Sequence, residues 1–164
     1  MQACLTVICR KKMAVVSAVT FKNWESDQPL ERFVQLFEIT ELPEENYSRQ
    51  LYCFKKMLRR IRPTPKIVLL NAPVDLPDGN PGPGRFFFDE FRGIIPVIGV
   101  NRFALKDLKN QFPVIRGGAS RPAYVSVAGI EEGDAAAVLK AMHGNEVLPY
   151  MMKLSVWLAE SYHV

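Results

Sequence analysis

The run "KIVLL", residues 66–70, is apolar without interruption and ends on Asn71, where a Pro/Gly-rich loop begins. A strand that alternates apolar and polar residues has one wet face, whereas a short unbroken apolar run needs cover on both sides. That requirement favours a layered α/β domain with its sheet held between helices. "IIPVIGV" (94–100) is a second run of the same kind. The loop from 71 to 85, "NAPVDLPDGNPGPGR", holds four prolines, three glycines and two aspartates. About 13 residues without a secondary-structure signal is long for a compact domain, and such loops are mostly functional or mobile.

The flanking segments place these runs in an order. "ACLTVIC" (3–9) and "MAVVSAVTF" (13–21) are β-rich and separated by "RKK", which predicts a hairpin, and "RFVQLFEI" (32–39) alternates as a third strand. From Asn46 to Ile61, apolar Tyr47, Leu51, Phe54, Leu58 and Ile61 recur at helical spacing. Glu44 and Glu45 precede this helix, Arg59, Arg60 and Arg62 crowd its end, and Pro63 and Pro65 stop it. "GRFFFDEFRG" (84–93) is expected to be helical, "RPAYVSVAG" (121–129) a strand, and residues 131–142 an Ala-rich helix. A last helix is expected over 150–162, with Met151, Leu154, Trp157 and Leu158 facing inward. Three meandering strands, a helix, then alternating strands and helices predict a mixed sheet with flanking helices, as in the RNase H-like architecture, in one domain spanning 1–164.

Bulk properties narrow the class. A chain of 164 residues forms one core that buries roughly 70% of its unfolded surface. With 48% hydrophobic and 23% charged residues it is a globular composition, not a disordered one. The net charge of +4 is compatible with nucleic acid or an acidic partner. Cys4, Cys9 and Cys53 show no CxxC or zinc spacing, and their odd number argues against a disulfide framework. They are expected as small core residues in a reducing compartment, and no apolar stretch approaches the ~18 residues of a membrane span. The expected location is cytoplasmic, with no membrane contact. His143 is expected at a helix C-terminus and His163 at a frayed chain end, neither in a nucleophilic pattern.

Several motifs together carry a family likeness. "KIVLLNAPVDLPDGNPGPGRFFFDEFRGIIPVIGV", "RPAYVSVAGIEEGDAAAVL" and "LPYMMKLSVWLAE" follow one another as do segments of endonuclease V. The chain resembles that family along most of its length. The resemblance implies metal-dependent hydrolysis of phosphodiesters near deaminated bases such as inosine, a chemistry that needs clustered carboxylates on Mg²⁺ or Mn²⁺. The family's carboxylates match neutral residues here. Residues 1–24 contain no Asp or Glu, so the first-strand acid is replaced near Leu5 or Thr6. The helix glutamate matches Gln50 in "YSRQ", and the aspartate of Val-Asp-Gly matches Asn71. Gln50 and Asn71 stand at the same interval as the family's two acids. The histidine of its Gly-His-Arg matches Ile130.

The resemblance therefore implies a retained fold and a lost metal site, in a domain that binds a protein or nucleic-acid partner without a cofactor. The alternative is an active nuclease whose ligands have moved to Asp75, Asp78, Asp89 or Glu90. "PDGN" equally suits an ordinary turn. Candidate phosphate contacts are Arg85 in the loop, Arg102 after "IGVN", and Lys55, Lys56, Arg59 and Arg60 on the long helix. Arg116 and Arg121 flank "GGAS" and are expected to extend that basic surface. Where the family carries a strand-parting wedge, this chain has "ELPEEN", whose Glu44 and Glu45 oppose a phosphate backbone.

Overall fold

The unbroken apolar run becomes a central strand. In the computed structural model, which describes residues 1–162, β4 (Val68–Leu70) is fully buried between two parallel neighbours, β1 (Gln2–Cys9) and β5 (Val97–Asn101). β2 (Met13–Phe21) and β3 (Glu31–Glu38) continue from β1 as an antiparallel meander. On the other side β7 (Ala123–Ala128) pairs antiparallel with β5, and β6 (Phe112–Val114) pairs antiparallel with β7. The sheet order is β3-β2-β1-β4-β5-β7-β6.

Two helices cover each face. α1 (Asn46–Arg60) and α2 (Pro83–Glu90) bury Phe54, Met57 and Phe87 against Leu5, Leu70 and Val97. α3 (Glu132–Ala141) and α4 (Tyr150–Glu160) bury Leu139, Met151 and Met152 against Cys4, Leu69 and Ile98. Consecutive residues of β4 thus feed opposite cores, which is why its sequence has no polar alternation. Each large apolar side chain so buried contributes about 1.5–3 kcal/mol. Glu45 caps α1, its carboxylate accepting from the Tyr47 and Ser48 backbone N–H groups at 3.0 and 2.8 Å. These bonds hold its carboxyl below the usual glutamate range. The negative charge of "ELPEEN" is therefore partly spent on starting a helix.

The 71–85 loop is tied down by hydrogen bonds to the sheet and within itself. Val74 is its hub: its N–H donates to Ser126 Oγ at 3.0 Å, and its carbonyl accepts from the Gly82 and Arg85 N–H groups, each at 2.9 Å. Asp75 and Pro81 form an isolated bridge that folds the loop on itself. The loop crosses β5 at Gly99, where a Cβ would come within 2.5 Å of the Ala72 carbonyl oxygen. Only glycine admits that crossing.

Other expectations need correction. Arg116 does not extend a basic surface. It is 2% exposed, and its guanidinium donates to the carbonyls of Leu139, Met142, His143, Gly144 and Glu146, closing the end of α3 and the following turn. Trp157 points outward at 61% exposure, because Met151, Met152, Ser155 and Ala159 form the buried stripe of α4. His143 lies beyond α3, with its ring edge-on to Tyr150 at 5.6 Å. Strand β6 was not foreseen: three residues with a central Pro113 leave no periodicity to detect. Cys4 and Cys53 are buried and Cys9 half-buried, and His163 lies outside the described residues.

Two outcomes follow for stability. Gly99→Ala forces the loop off β5 and costs about 1–3 kcal/mol in chemical denaturation. Arg116→Met leaves five carbonyls without their donor, those of Leu139 and Met142 on buried residues, and costs about 3 kcal/mol, whereas Arg121→Met stays within ~1 kcal/mol of wild type.

Candidate nucleic-acid cleft

After β1 the chain turns towards β2 and β3, and after β4 it turns towards β5. Connections that diverge from neighbouring parallel strands leave a crevice outside their carboxyl ends. A cleft of about 580 Å³ lies at this end of the sheet, lined by Asn71 after β4, by Asn101, Arg102, Phe103 and Leu105 at and after β5, and by Val156 and Glu160 of α4. The Asn71 backbone N–H donates to the Leu5 carbonyl at 3.1 Å, which sets Asn71 beside Thr6 across the sheet.

The positions matched to the family's acids are only partly gathered here. Thr6 is wholly buried beneath α4, its hydroxyl 2.8 Å from Ser155 Oγ. Ser155 Oγ donates to the Met152 carbonyl, so Thr6 is the donor to Ser155. Ser17, paired with Thr6 across β1 and β2, donates to the Ser155 carbonyl. Three neutral hydroxyls thus stitch α4 to the sheet where the resemblance implies a carboxylate. Gln50 stands in the first turns of α1, and its side-chain oxygen is buried with no hydrogen-bond partner. Asn71 lines the cleft. Ile130 is at the other end of the sheet, since β7 runs antiparallel to β5 and pairs Ala128 with Val97.

The acidic candidates do not converge either. Asp75 is 8% exposed and faces the Arg85 guanidinium through two contacts of 3.2 and 3.3 Å, with Asn110 at 3.4 Å. Asp78 accepts from the backbone and side-chain nitrogens of Asn80, both at 2.9 Å, as an ordinary turn aspartate. Glu90 pairs with Lys55 at 3.0 Å and lies 3.8 Å from Arg59, while Asp89 is exposed on α2. Among the described residues no group of three or more His, Cys, Asp or Glu side chains is placed to hold a metal ion. Burial pushes the Cys53 thiol up to about 12, helped by Cys9 nearby, so it offers no thiolate nucleophile.

The basic candidates separate into two groups. α1 begins at the carboxyl end of β1 and runs back along the sheet, so Lys55, Lys56, Arg59 and Arg60 lie towards its far end and away from the cleft. Lys56 sits over the Tyr52 ring, and Arg60 over the Phe33 ring with a bond to the Val34 carbonyl. Arg85 is engaged by Asp75. Arg102 alone of these six lines the cleft.

Sequence reading missed Phe103 and named Arg121 only as part of a basic surface. Phe103 is 67% exposed, and the Arg121 guanidinium lies over its ring at 4.4 Å, fixed by a bond to the Arg102 carbonyl at 3.1 Å. Lys106 and Lys109 are exposed on the same loop. The signal for Asn101 was present: "KIVLL" and "PVIGV" both end on asparagine.

No family model matches the sequence, and no curated protein matches it. Solved structures do. An endonuclease V from Streptomyces avermitilis superposes with a TM-score of 0.77 at 14% identity, over 96% of this chain and 78% of that one. The catalytic domain of human endonuclease V gives 0.74 at 15% identity, over 97% and 80%. Ciona intestinalis endonuclease V, in complex with a 24mer DNA containing an inosine followed by a ribo-adenosine, gives 0.73 at 15% identity, over 97% and 84%. The chain therefore has an endonuclease V-like fold.

Proposed function

We propose that this chain is an endonuclease V-like domain that binds nucleic acid without cutting it. The observation that carries this reading is the donor set at the carboxyl ends of β1 and β4: a committed hydroxyl (Thr6) and a neutral amide (Asn71), with the Gln50 amide on α1. A hard divalent cation takes charged oxygen ligands, and an amide or hydroxyl oxygen brings none of that charge. These groups do not fit Mg²⁺ or Mn²⁺. Among the described residues that line the cleft, Glu160 is the single carboxylate.

Binding has separate support. Arg102 lines the cleft, and Phe103 presents an exposed ring there with the Arg121 guanidinium over it. Cations interleaved with an accessible aromatic suit a single strand, whose phosphates and bases are both exposed. The Ciona neighbour, a DNA complex by description, agrees with that class of partner.

The test is incubation of excess protein with inosine-containing single-stranded DNA and RNA in Mg²⁺ or Mn²⁺, with binding followed in parallel against salt. The expected result is binding that weakens as salt rises, with no product. Product that disappears in Asp78→Asn, or in a folded Asp75→Asn/Asp78→Asn variant, would overturn the reading in favour of relocated metal ligands. Asp75→Asn alone costs about 1–3 kcal/mol of stability by unpairing Arg85, so thermal melts accompany each variant.

A further inference from the structure

A second cavity adjoins the cleft. It measures about 290 Å³ and is lined by the turn 118–120 after β6, by residues 145–148 before α4, and by Lys153 and Arg102. Arg102 lines both hollows, so they meet at that residue. The turn presses closely on the 145–148 segment: a Cβ on Gly118 would come within 2.9 Å of the Asn145 Cβ.

The charge around this cavity is one-sided. Lys153 pairs with Glu146, and Lys153 together with Arg102 holds the Glu146 carboxyl below the usual glutamate range. Among the described residues that line the cavity, Glu146 is the single carboxylate against these two cations. A third cation stands behind them. Arg116 donates to the carbonyls of His143, Gly144 and Glu146, and no described carboxylate forms an ion pair with it. A trans peptide points its carbonyl and the next N–H in opposite directions. The N–H groups of Gly144, Asn145 and Val147 therefore point away from the guanidinium, and Asn145 and Val147 line the cavity. Backbone dipoles so turned, beside cations, favour an anion.

The ion pair over the cavity is replaceable. The Glu146 and Lys153 side chains are 58% and 39% exposed, and an exposed pair contributes at most about 1 kcal/mol. An incoming anion takes Lys153 from Glu146 at small cost. A strand whose base stacks on Phe103 carries phosphates on either side of that base, and Arg102 is the residue next to Phe103.

We propose that this cavity seats a phosphate group of the strand between Lys153 and Arg102, displacing Glu146 from Lys153. This rests on the nucleic-acid reading above and adds to it a phosphate site outside the positions matched to the family's acids.

The experiment is fluorescence anisotropy of short labelled thymine strands, with a 5′-phosphate or a 5′-hydroxyl, over a series of salt concentrations. Thermal melts confirm that each variant is folded. Lys153→Met is expected to weaken binding about five-fold and to lower the slope of log affinity against log salt by about 0.7. Lys153→Arg restores both. Glu146→Gln strengthens binding about three-fold, whereas Glu132→Gln, in the first turn of α3, leaves it unchanged. Equal responses of the two strands assign the site to an internal phosphodiester, and a response confined to the 5′-phosphate strand assigns it to the terminal group. Strand binding that Lys153→Met leaves unaltered, or equal gains from Glu146→Gln and Glu132→Gln, overturns the proposal while the nucleic-acid reading stands. No binding of any strand at low salt overturns both.

Discussion

The parallel pairing of β4 with β1 is the constraint on which the rest of the molecule depends. Two parallel strands cannot be joined by a tight turn, so the chain between them must travel out through β2 and β3 and return by a helix. α1 is that return, and its apolar stripe covers one face of the strands it connects. The register, with Leu5 opposite Leu70, sets Thr6 beside Asn71 at the carboxyl end of β4. A slip by one residue would exchange the two cores, because Leu69 and Leu70 belong to opposite faces. The cleft is thus a by-product of the same pairing that builds the core.

Against this frame the site's chemistry is conspicuous for what its residues are. The endonuclease V-like fold is shared at 13–15% identity with endonuclease V structures. Thr6 and Ser155 form a hydroxyl pair that fills a buried polar position, satisfies itself, and adds a tie between α4 and β1. A neutral pair of this kind carries none of the desolvation cost of a buried charge.

The layers of the fold were legible because burial leaves a periodic trace. Unbroken apolar runs marked β4 and β5, and the 3.6-residue stripe marked α1. What stayed hidden had no such trace. Arg116 looks like any surface arginine in a one-dimensional string, and only the convergence of five carbonyls around it explains its burial. β6 is too short to show a period. The 71–85 loop looked restless because Pro and Gly break regular structure, yet those same residues let it lie flat on Gly99 and turn tightly around Val74. Of the positions singled out through resemblance Asn71 lines the cleft, whereas the grouping of Arg102 with Phe103 and Glu160 depends on where loops and α4 end. The basic stretch of α1 misled because a helix of 15 residues carries its last turn roughly 20 Å from its first, out of reach of the cleft.

The hydroxyl tie between α4 and the sheet has one more consequence. Thr6, Ser17 and Ser155 do not ionise in the range where proteins fold, and neither do Asn71 or Asn101. A cluster of carboxylates in their place would change its mutual repulsion with every proton gained or lost, and would lean on a cation to stay together. Here the seat of α4 is electrically silent. The bonds that seat α4 on the sheet at this point are made by groups whose charge does not change with pH.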